Sequence, residues 1–379
     1  AFSDVKGVFD PQGTFNPGKI VGHPYFGLGD NVRSVVASRK FLGLADEDTS
    51  GTNLDITSGS QTIADDAQEK QTGKKKKTAA TALPIFEPEL NWQLPEIALA
   101  ARNCNGCGRC RTASPNERMC PLFRLSPREE ASPRSKANLM RGIVTGQLDP
   151  KLLGTEEAKE IADLCVNCHQ CRLECPAGVD IPKLMVEAKA QYYLSNGSQI
   201  SDWLLTRLDR LYELSGYVPN VVNRLLKSPS ARWLLDKVVG IAQGRKLPLF
   251  ANRTFLRWAS REKLNRPAKQ QSHKIVYFVD SFANWNDVEI GKAFVKVLAH
   301  NGINVVVPAS QNISGMSLIS DGAVARAKKI ALKNVEQLAE WVRQGYRVVT
   351  TEPSAALAIS HEYLNLLDEP DAKLVADNT

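Results

Sequence analysis

Two runs of cysteine dominate this sequence of 379 residues. Each run spaces three cysteines as CxxCxxC and is followed by a fourth cysteine that precedes a proline. Together the two runs use all eight cysteines of the chain. A chain with this pattern must fold so that two groups of thiolates converge. The first run contains Cys104, Cys107 and Cys110, with Cys120 after it, and the second contains Cys165, Cys168 and Cys171, with Cys175 after it.

Three thiolates at this spacing can hold three corners of a cubane iron–sulfur cluster, while a more distant cysteine binds the fourth iron. The sequence therefore predicts two 4Fe-4S clusters. In two-cluster ferredoxins the fourth cysteine of each run ligates the other cluster. We expect one cluster to be held by Cys104, Cys107, Cys110 and Cys175, and the second by Cys165, Cys168, Cys171 and Cys120.

Two other uses of cysteine fit the pattern less well. Zinc sites take cysteines in pairs, and the third cysteine at the same spacing has no natural place in a tetrahedral site. A disulfide framework suits short secreted chains, whereas 379 residues can bury a large core without cross-links. An oxidation-sensitive cofactor favours a reducing cytoplasmic compartment, with a peripheral position at the inner membrane face as the alternative.

Composition excludes a membrane-spanning chain and gives little support to a nucleic-acid partner. The chain is 43% hydrophobic and 23% charged, which is ordinary for a globular protein. No apolar run approaches the roughly 18 residues that a transmembrane helix needs. The net charge of +7 arises partly from one tract of four lysines, residues 74–77, in a linker-like segment. We therefore expect no nucleic-acid partner and no transmembrane segment.

Hydrophobic periodicity predicts a multidomain α+β chain, with a mostly α-helical two-cluster, ferredoxin-like domain followed by an α/β domain with a parallel sheet. Residues 46–82 are too polar to form a core and are expected to be a disordered linker. The cluster domain spans 83–200, a helical connector spans 201–270, and the α/β domain spans 273–379. Predicted helices cover 94–101, 133–141, 155–164, 181–193, 287–300 and 321–343, the last capped by Asp321, and predicted strands cover 274–279, 303–307 and 346–350.

Basic residues crowd the first cysteine run. They either form a solvated face or lie near the cluster sulfurs, where positive charge would raise the reduction potential of an anionic cluster. The sequence leaves both readings open. The basic residues are Arg102, Arg109, Arg111, Arg118, Arg124, Arg128, Arg134, Lys136 and Arg141.

The N-terminal segment resembles the end of a flavin domain. Residues 9–21 read FDPQGTFNPGKIV, which is similar to the C-terminal end of the FAD domain in oxidases of the vanillyl-alcohol oxidase type. The resemblance implies that residues 1–45 are the remnant of an FAD-linked oxidase domain. It places Asn16 and Lys19 in the vicinity of FAD, which would be bound by a domain upstream of this sequence.

Taken together, the parts resemble the bacterial fused FAD-binding and iron–sulfur-binding dehydrogenases that oxidise D-2-hydroxy acids such as D-lactate or D-2-hydroxyglutarate. The motifs that carry this resemblance are CNGCGRCRT and the SKANLMRG stretch in the first run, CVNCHQCRLECPAGVDIPKLMVE in the second, and YFVDSFANWND downstream. The sequence departs from this family in its C-terminal domain, where a Cys-Cys-Gly signature and a later cysteine are expected. Residues 312–316 and 352–355 contain neither. We expect a degenerate, truncated domain without a metal centre, in which His361 is a surface or packing residue.

The resemblance implies an electron-transfer role. FAD on an upstream domain, in cis or in trans, would take electrons from the substrate, and two 4Fe-4S clusters would pass them to a quinone or a protein acceptor. No residue of this chain presents a general base or substrate pocket, so we expect no catalysis by the chain alone. The alternatives are a stand-alone iron–sulfur subunit of the glycolate oxidase, glycerol-3-phosphate dehydrogenase or heterodisulfide reductase type, and a docking subunit that senses redox state.

Overall fold

A computed structural model of the chain describes residues 2–12, 37–38, 41, 87–197, 207–267 and 273–379. The predicted FAD-proximal residues Asn16 and Lys19 lie outside the described residues, as does the predicted linker at 46–82.

The cluster domain is helical, and its four predicted helices are present at nearly the predicted bounds. Side-chain caps fix several of their starts: Thr155 Oγ1 accepts a hydrogen bond from the amide of Ala158 (3.4 Å), and Asp180 Oδ1 accepts one from the amide of Lys183 (3.1 Å). A short N-terminal helix, α1, spans Phe2–Phe9. The helices of the domain are α2 (Leu94–Arg102), α3 (Pro121–Leu125), α4 (Pro133–Val144), α5 (Glu156–Asp163), α6 (Gln170–Glu174) and α7 (Ile181–Asn196), with 3-10 turns at Arg109–Arg111, Glu129–Ala131 and Pro150–Gly154.

The described part of the connector, residues 207–267, contains four short helices. Two of these begin at a proline, which is tolerated in a first turn but cannot continue a preceding helix because it lacks the backbone N–H. The helices are α8 (Leu208–Ser215), α9 (Pro219–Lys227), α10 (Pro229–Val239) and α11 (Phe255–Arg261).

The C-terminal domain contains the predicted parallel sheet, with shorter strands than predicted. The strands are β1 (Ile275–Tyr277), β2 (Val305–Val306) and β3 (Arg347–Val349), in the order β2-β1-β3. In the register, Ile275 pairs with Val305 on one side and with Arg347 on the other. The helices are α12 (Val288–His300), α13 (Met316–Ser320), α14 (Val324–Arg343), α15 (Pro353–Leu357), α16 (Tyr363–Leu366) and α17 (Pro370–Asp377), with π-helical turns at Phe282–Asn286 and Ala358–Glu362.

Both faces of this sheet are covered by helices. Side chains alternate along the central strand, so Val276 and Phe278 enter one core while Tyr277 and Val279 enter another. The first core is completed by α14 and α17, and the second by α11 and α12. This arrangement explains why the strands read as continuous apolar runs.

One prediction about this domain is wrong. Asp321 does not cap the long helix, because it follows the last residue of α13, and α14 begins only at Val324. The chain turns between the two helices at Gly322, whose φ of +82° lies in the left-handed region. That backbone conformation is incompatible with helix continuation from Asp321.

Helix α7 joins the cluster domain to the C-terminal domain. Its buried Glu187 accepts hydrogen bonds from the amides of Glu89 (2.9 Å) and Leu90 (3.1 Å) and from Trp92 Nε1 (2.9 Å). Lys189 Nζ donates to the carbonyl of Cys165 in the second cysteine run (3.0 Å) and to that of Ser320 in α13 (2.9 Å). Lys189 therefore links the second cysteine run to the C-terminal domain, and we call this contact the polar joint.

We expect Gly322→Ala to disrupt this joint. A Cβ at position 322 would meet the backbone carbonyl carbon of Lys189 at 2.7 Å, and the left-handed conformation would add strain. Gly302→Ala is the matched control, because Gly302 has a similar φ of +72° with nothing within 4 Å. We expect a loss of about 1 kcal/mol for the control and roughly 3 kcal/mol for Gly322→Ala, measured by urea denaturation. Equal losses would contradict a close approach at Gly322.

Candidate iron–sulfur centre

The structure gathers the eight thiols around two neighbouring cavities. The fourth cysteine of each run lines the cavity that also contains the three cysteines of the other run. Pro133, Cys171 and Ile181 line both cavities, so the two sites are adjacent. Cys107 and Cys168 are exposed, whereas Cys171 is buried. The first cavity is bordered by Cys104, Cys107, Cys110 and Cys175 and by the shared Cys171, and the second by Cys120, Cys165, Cys168 and Cys171.

The two cysteine runs have the same backbone shape but achieve it with different residues. In the first run, Gly106 (φ +74°) and Gly108 (φ +76°) adopt the left-handed conformation that glycine allows without strain. In the second run, the equivalent positions hold Asn167 (φ +52°) and His169 (φ +58°). Asn and His adopt this conformation more readily than other residues with side chains, but less readily than glycine, so a side-chain restraint would stabilise the second run.

That restraint comes from Glu362, in the π-helical turn of the C-terminal domain. Glu362 is 2% exposed, and its Oε1 pairs with His169 Nε2 and accepts a hydrogen bond from Asn167 Nδ2 (3.3 Å). Its other oxygen accepts from Asn365 Nδ2 (3.3 Å). One buried carboxylate thus binds the side chains of both left-handed residues of the second run.

The protonation of His169 follows from its neighbours. Arg172 Nε donates to His169 Nδ1 (3.0 Å), so Nδ1 uses its lone pair and Nε2 carries the proton that faces Glu362. His169, His361 and Glu362 lie close enough together to hold a metal ion, with ligand atoms within 4.8 Å. A protonated Nε2 has no lone pair for a metal, so we assign this cluster a structural role. His361 packs edge-on against His169, with ring centroids 5.1 Å apart.

The thiols are in an environment that disfavours free thiolates. Burial raises the pKa of Cys110, Cys165 and Cys171, and neighbouring thiolates raise it further. A bound metal centre stabilises such thiols in the deprotonated form, because it withdraws the negative charge of each thiolate. Eight thiols in two four-membered groups fit two 4Fe-4S clusters, which supply one-electron transfer when bound.

Among the predicted basic residues, Lys136 is buried beside the second group of thiols. It is 1% exposed, and its Nζ donates to the carbonyl of Ala131 (2.9 Å). Burial lowers the pKa of Lys136, while thiolates at Cys165, Cys120 and Cys171 act in the opposite direction. A cation held among these sulfurs would favour the reduced, more negative state of a cluster.

Four of the arginines near the first run contact carboxylates or backbone carbonyls. Arg111 and Arg134 pair with Glu129, at 3.1 and 2.9 Å, and Arg118 pairs with Glu174 at 2.8 Å. Arg141 has a structural role: its Nη2 donates to the carbonyls of Arg102 (2.6 Å) and Cys104, which ties the first run to the end of α2. The basic residues therefore include some on the solvated surface and one, Lys136, that lies near the candidate cluster ligands.

Several residues of this site were not identified from the sequence. Glu362 and Lys189 carried no local signal, because their partners lie in distant parts of the chain. Asn167 and His169 did carry one: aligning the two cysteine runs places them opposite Gly106 and Gly108. A non-glycine residue at a position that needs a positive φ indicates a specific side-chain restraint.

Comparison with known proteins agrees with this chemistry. Residues 67–180 match the family model of the 4Fe-4S dicluster domain. The matched stretch begins within the predicted linker. The chain is 27% identical over 267 residues to one of the subunits of anaerobic glycerol-3-phosphate dehydrogenase from Escherichia coli, covering 70% of this chain and 63% of that protein. It is 24% identical over 318 residues to D-2-hydroxyglutarate dehydrogenase from the same organism, covering 71% and 30%.

A third relative is the probable glycolate oxidase iron-sulfur subunit of Bacillus subtilis, 22% identical over 293 residues, covering 71% of this chain and 60% of that protein. The chain thus spans less than two thirds of the length of these relatives. No solved structure gives a significant match. The predicted resemblance to iron–sulfur portions of such oxidoreductases is confirmed, and the chain is an iron–sulfur protein of the electron-transfer type. Among the described residues, no helix is long and apolar enough to cross a membrane.

Proposed function

We propose that this iron–sulfur relative of several oxidoreductases is the electron-transfer portion of a flavin-dependent 2-hydroxy-acid dehydrogenase. FAD on an upstream domain accepts electrons from a CH–OH donor, and the two clusters of this chain carry them to a quinone or protein acceptor. The cofactors divide a two-electron oxidation into single-electron steps, while the protein sets distance and potential. Asn16 and Lys19 remain the positions that we expect near the flavin.

The observation that carries this proposal is the pair of adjacent cysteine-lined cavities. A single cluster is enough to hold a fold together, whereas two neighbouring clusters form a path for electrons. Each site also has one exposed cysteine, Cys107 at the first and Cys168 at the second, so electrons can enter and leave at different points. We assign the cluster ligands as predicted, with Cys175 on the first cluster and Cys120 on the second.

A second candidate is a separate iron–sulfur subunit that docks on a flavoprotein. The relatives from glycerol-3-phosphate dehydrogenase and glycolate oxidase are named as subunits, which favours this arrangement. The electron path is the same in both cases, and only the covalent link to the flavin domain differs. Co-purification of a flavoprotein with this chain expressed from its own reading frame would support the separate subunit.

The proposal is tested by anaerobic reconstitution. We expect close to eight iron atoms per chain, cubane-type absorption, and a reduced-state electron paramagnetic resonance spectrum of two interacting spins. Joined to its upstream flavin domain, the chain should be reduced by a D-2-hydroxy acid but not by the matching 2-oxo acid. Stoichiometric zinc without a visible chromophore would contradict the iron–sulfur assignment, and reduction by no hydroxy acid would contradict the donor class.

A further inference from the structure

A groove of about 500 Å³ lies between the second cysteine run and the C-terminal domain. Cys168, the exposed cysteine of the second run, forms part of its wall, together with Asn167. The opposite wall follows the carboxyl ends of the parallel strands, where Asp280, Ser314 and Pro353 lie after β1, β2 and β3. A cavity of this size at the strand ends of an open α/β sheet suits a small organic ligand.

The lining of the groove restricts the charge of that ligand. Among the described residues, the lining contains no Lys, Arg or His. The one ionisable carboxyl is Asp280, which is 4% exposed and accepts hydrogen bonds from the amides of Ser314 (3.0 Å) and Ser281 (2.8 Å). An anion such as a hydroxy acid or a phosphate would find no cation here. The groove therefore favours a neutral ligand.

The remaining lining groups combine apolar contact with hydrogen bonding. Tyr212, Ile313 and Met316 provide an apolar and aromatic surface, and Tyr212 stacks on Trp285 with ring centroids 5.5 Å apart. Serine hydroxyls at 281, 317 and 354 can donate to carbonyl oxygens. The same hydroxyls can accept hydrogen bonds from a ligand hydroxyl.

We propose that this groove binds a neutral cyclic dicarbonyl of the quinone class, which receives electrons next to Cys168. The proposal rests on the electron-transfer function proposed above and selects a small molecule over a protein as acceptor. A quinone becomes a quinol by taking up two electrons and two protons. The electrons come one at a time from reduced iron–sulfur centres, and the protons come from water through the open side of the groove.

Both states of such a ligand match the lining. The carbonyl oxygens of the quinone accept from the serine hydroxyls, and the hydroxyls of the quinol donate to the serine oxygens. Burial raises the pKa of Asp280, whose oxygens are occupied by the amides of Ser281 and Ser314. The buried carboxyl is consistent with a site for an uncharged molecule.

The test uses duroquinone, whose ring is fully substituted and cannot add to thiols. Binding to the reconstituted chain is measured by anaerobic equilibrium dialysis, and reduction by stopped flow. Ser317→Phe and Ser354→Phe each place a ring in the groove, while Ser310→Phe, on an exposed loop outside it, is the matched control. We expect either groove variant to weaken binding and slow duroquinone reduction about tenfold or more, with no change in the control.

The outcomes separate this inference from the proposed function. All variants should retain eight irons and reduce hexacyanoferrate, a small acceptor that can react at the exposed Cys107 side. Two results would overturn the quinone site alone. One is a chain with intact clusters that does not bind duroquinone, and the other is binding that neither groove variant changes. Loss of the clusters from the unmodified chain would instead overturn the electron-transfer function, while the dialysis measurement would still report whether the groove binds the quinone.

Discussion

Replacing Cys104, Cys107 and Cys110 together by alanine should lower the iron content from about eight to about four atoms per chain. The remaining cluster would be held by the second run with Cys120 as its fourth ligand. In this background, Cys120→Ala should remove the last cluster or convert it to a three-iron form. Cys175→Ala should change nothing, because its own cluster is already absent. Iron analysis and electron paramagnetic resonance after anaerobic reconstitution measure both effects.

The comparison of Cys120→Ala with Cys175→Ala is internally controlled. Both residues precede a proline, both are half-buried, and both follow a CxxCxxC run in the sequence. They differ in the cavity that each one lines and in their distance from the preceding run. The opposite result, with Cys175→Ala removing the remaining cluster, would mean that each run holds its own cluster and would reject crossed ligation.

The convergence of the cysteines could be predicted from sequence because the spacing within each run is local. Three cysteines within seven residues can converge on one metal centre whatever the rest of the chain does, and the cysteine before a proline completes the set. The helices followed from capping residues such as Thr155 and from apolar periodicity. Strand lengths were overestimated because an apolar run marks a buried segment and does not show where the hydrogen-bonded ladder ends.

The supporting residues could not be predicted, because their contacts join distant segments. Asn167 and Glu362 are 195 positions apart, and Lys189 and Ser320 are 131 apart. No local pattern encodes such a pairing. The C-terminal domain contains no cysteine but still contributes to this region. It provides Glu362 to the second cysteine run and one wall of the groove beside Cys168.

Replacing Glu362 should affect the second cluster and leave the first unchanged. Glu362→Ala leaves Asn167 and His169 without the acceptor that holds their left-handed backbone, in a buried setting where an unsatisfied donor costs about 1–3 kcal/mol. We expect the free energy of unfolding to fall by about 2–4 kcal/mol and the second cluster to be lost faster to an iron chelator. Glu362→Gln keeps one acceptor oxygen and should lose less, and Glu336→Ala, at an exposed position of α14, is the control.

The link between Glu362 and the second run is tested by giving that run the glycines of the first. With Asn167→Gly and His169→Gly together, the side chains that contact Glu362 are gone, and the turn keeps its positive φ because glycine adopts it without strain. In that background Glu362→Ala should cost about 1–2 kcal/mol less than in the unmodified chain, a coupling that a double-mutant cycle measures. Additive losses would mean that Glu362 stabilises the C-terminal domain alone. A positive coupling with an unchanged first-cluster signal would show that a domain without thiols sets the geometry of a cluster that it does not ligate.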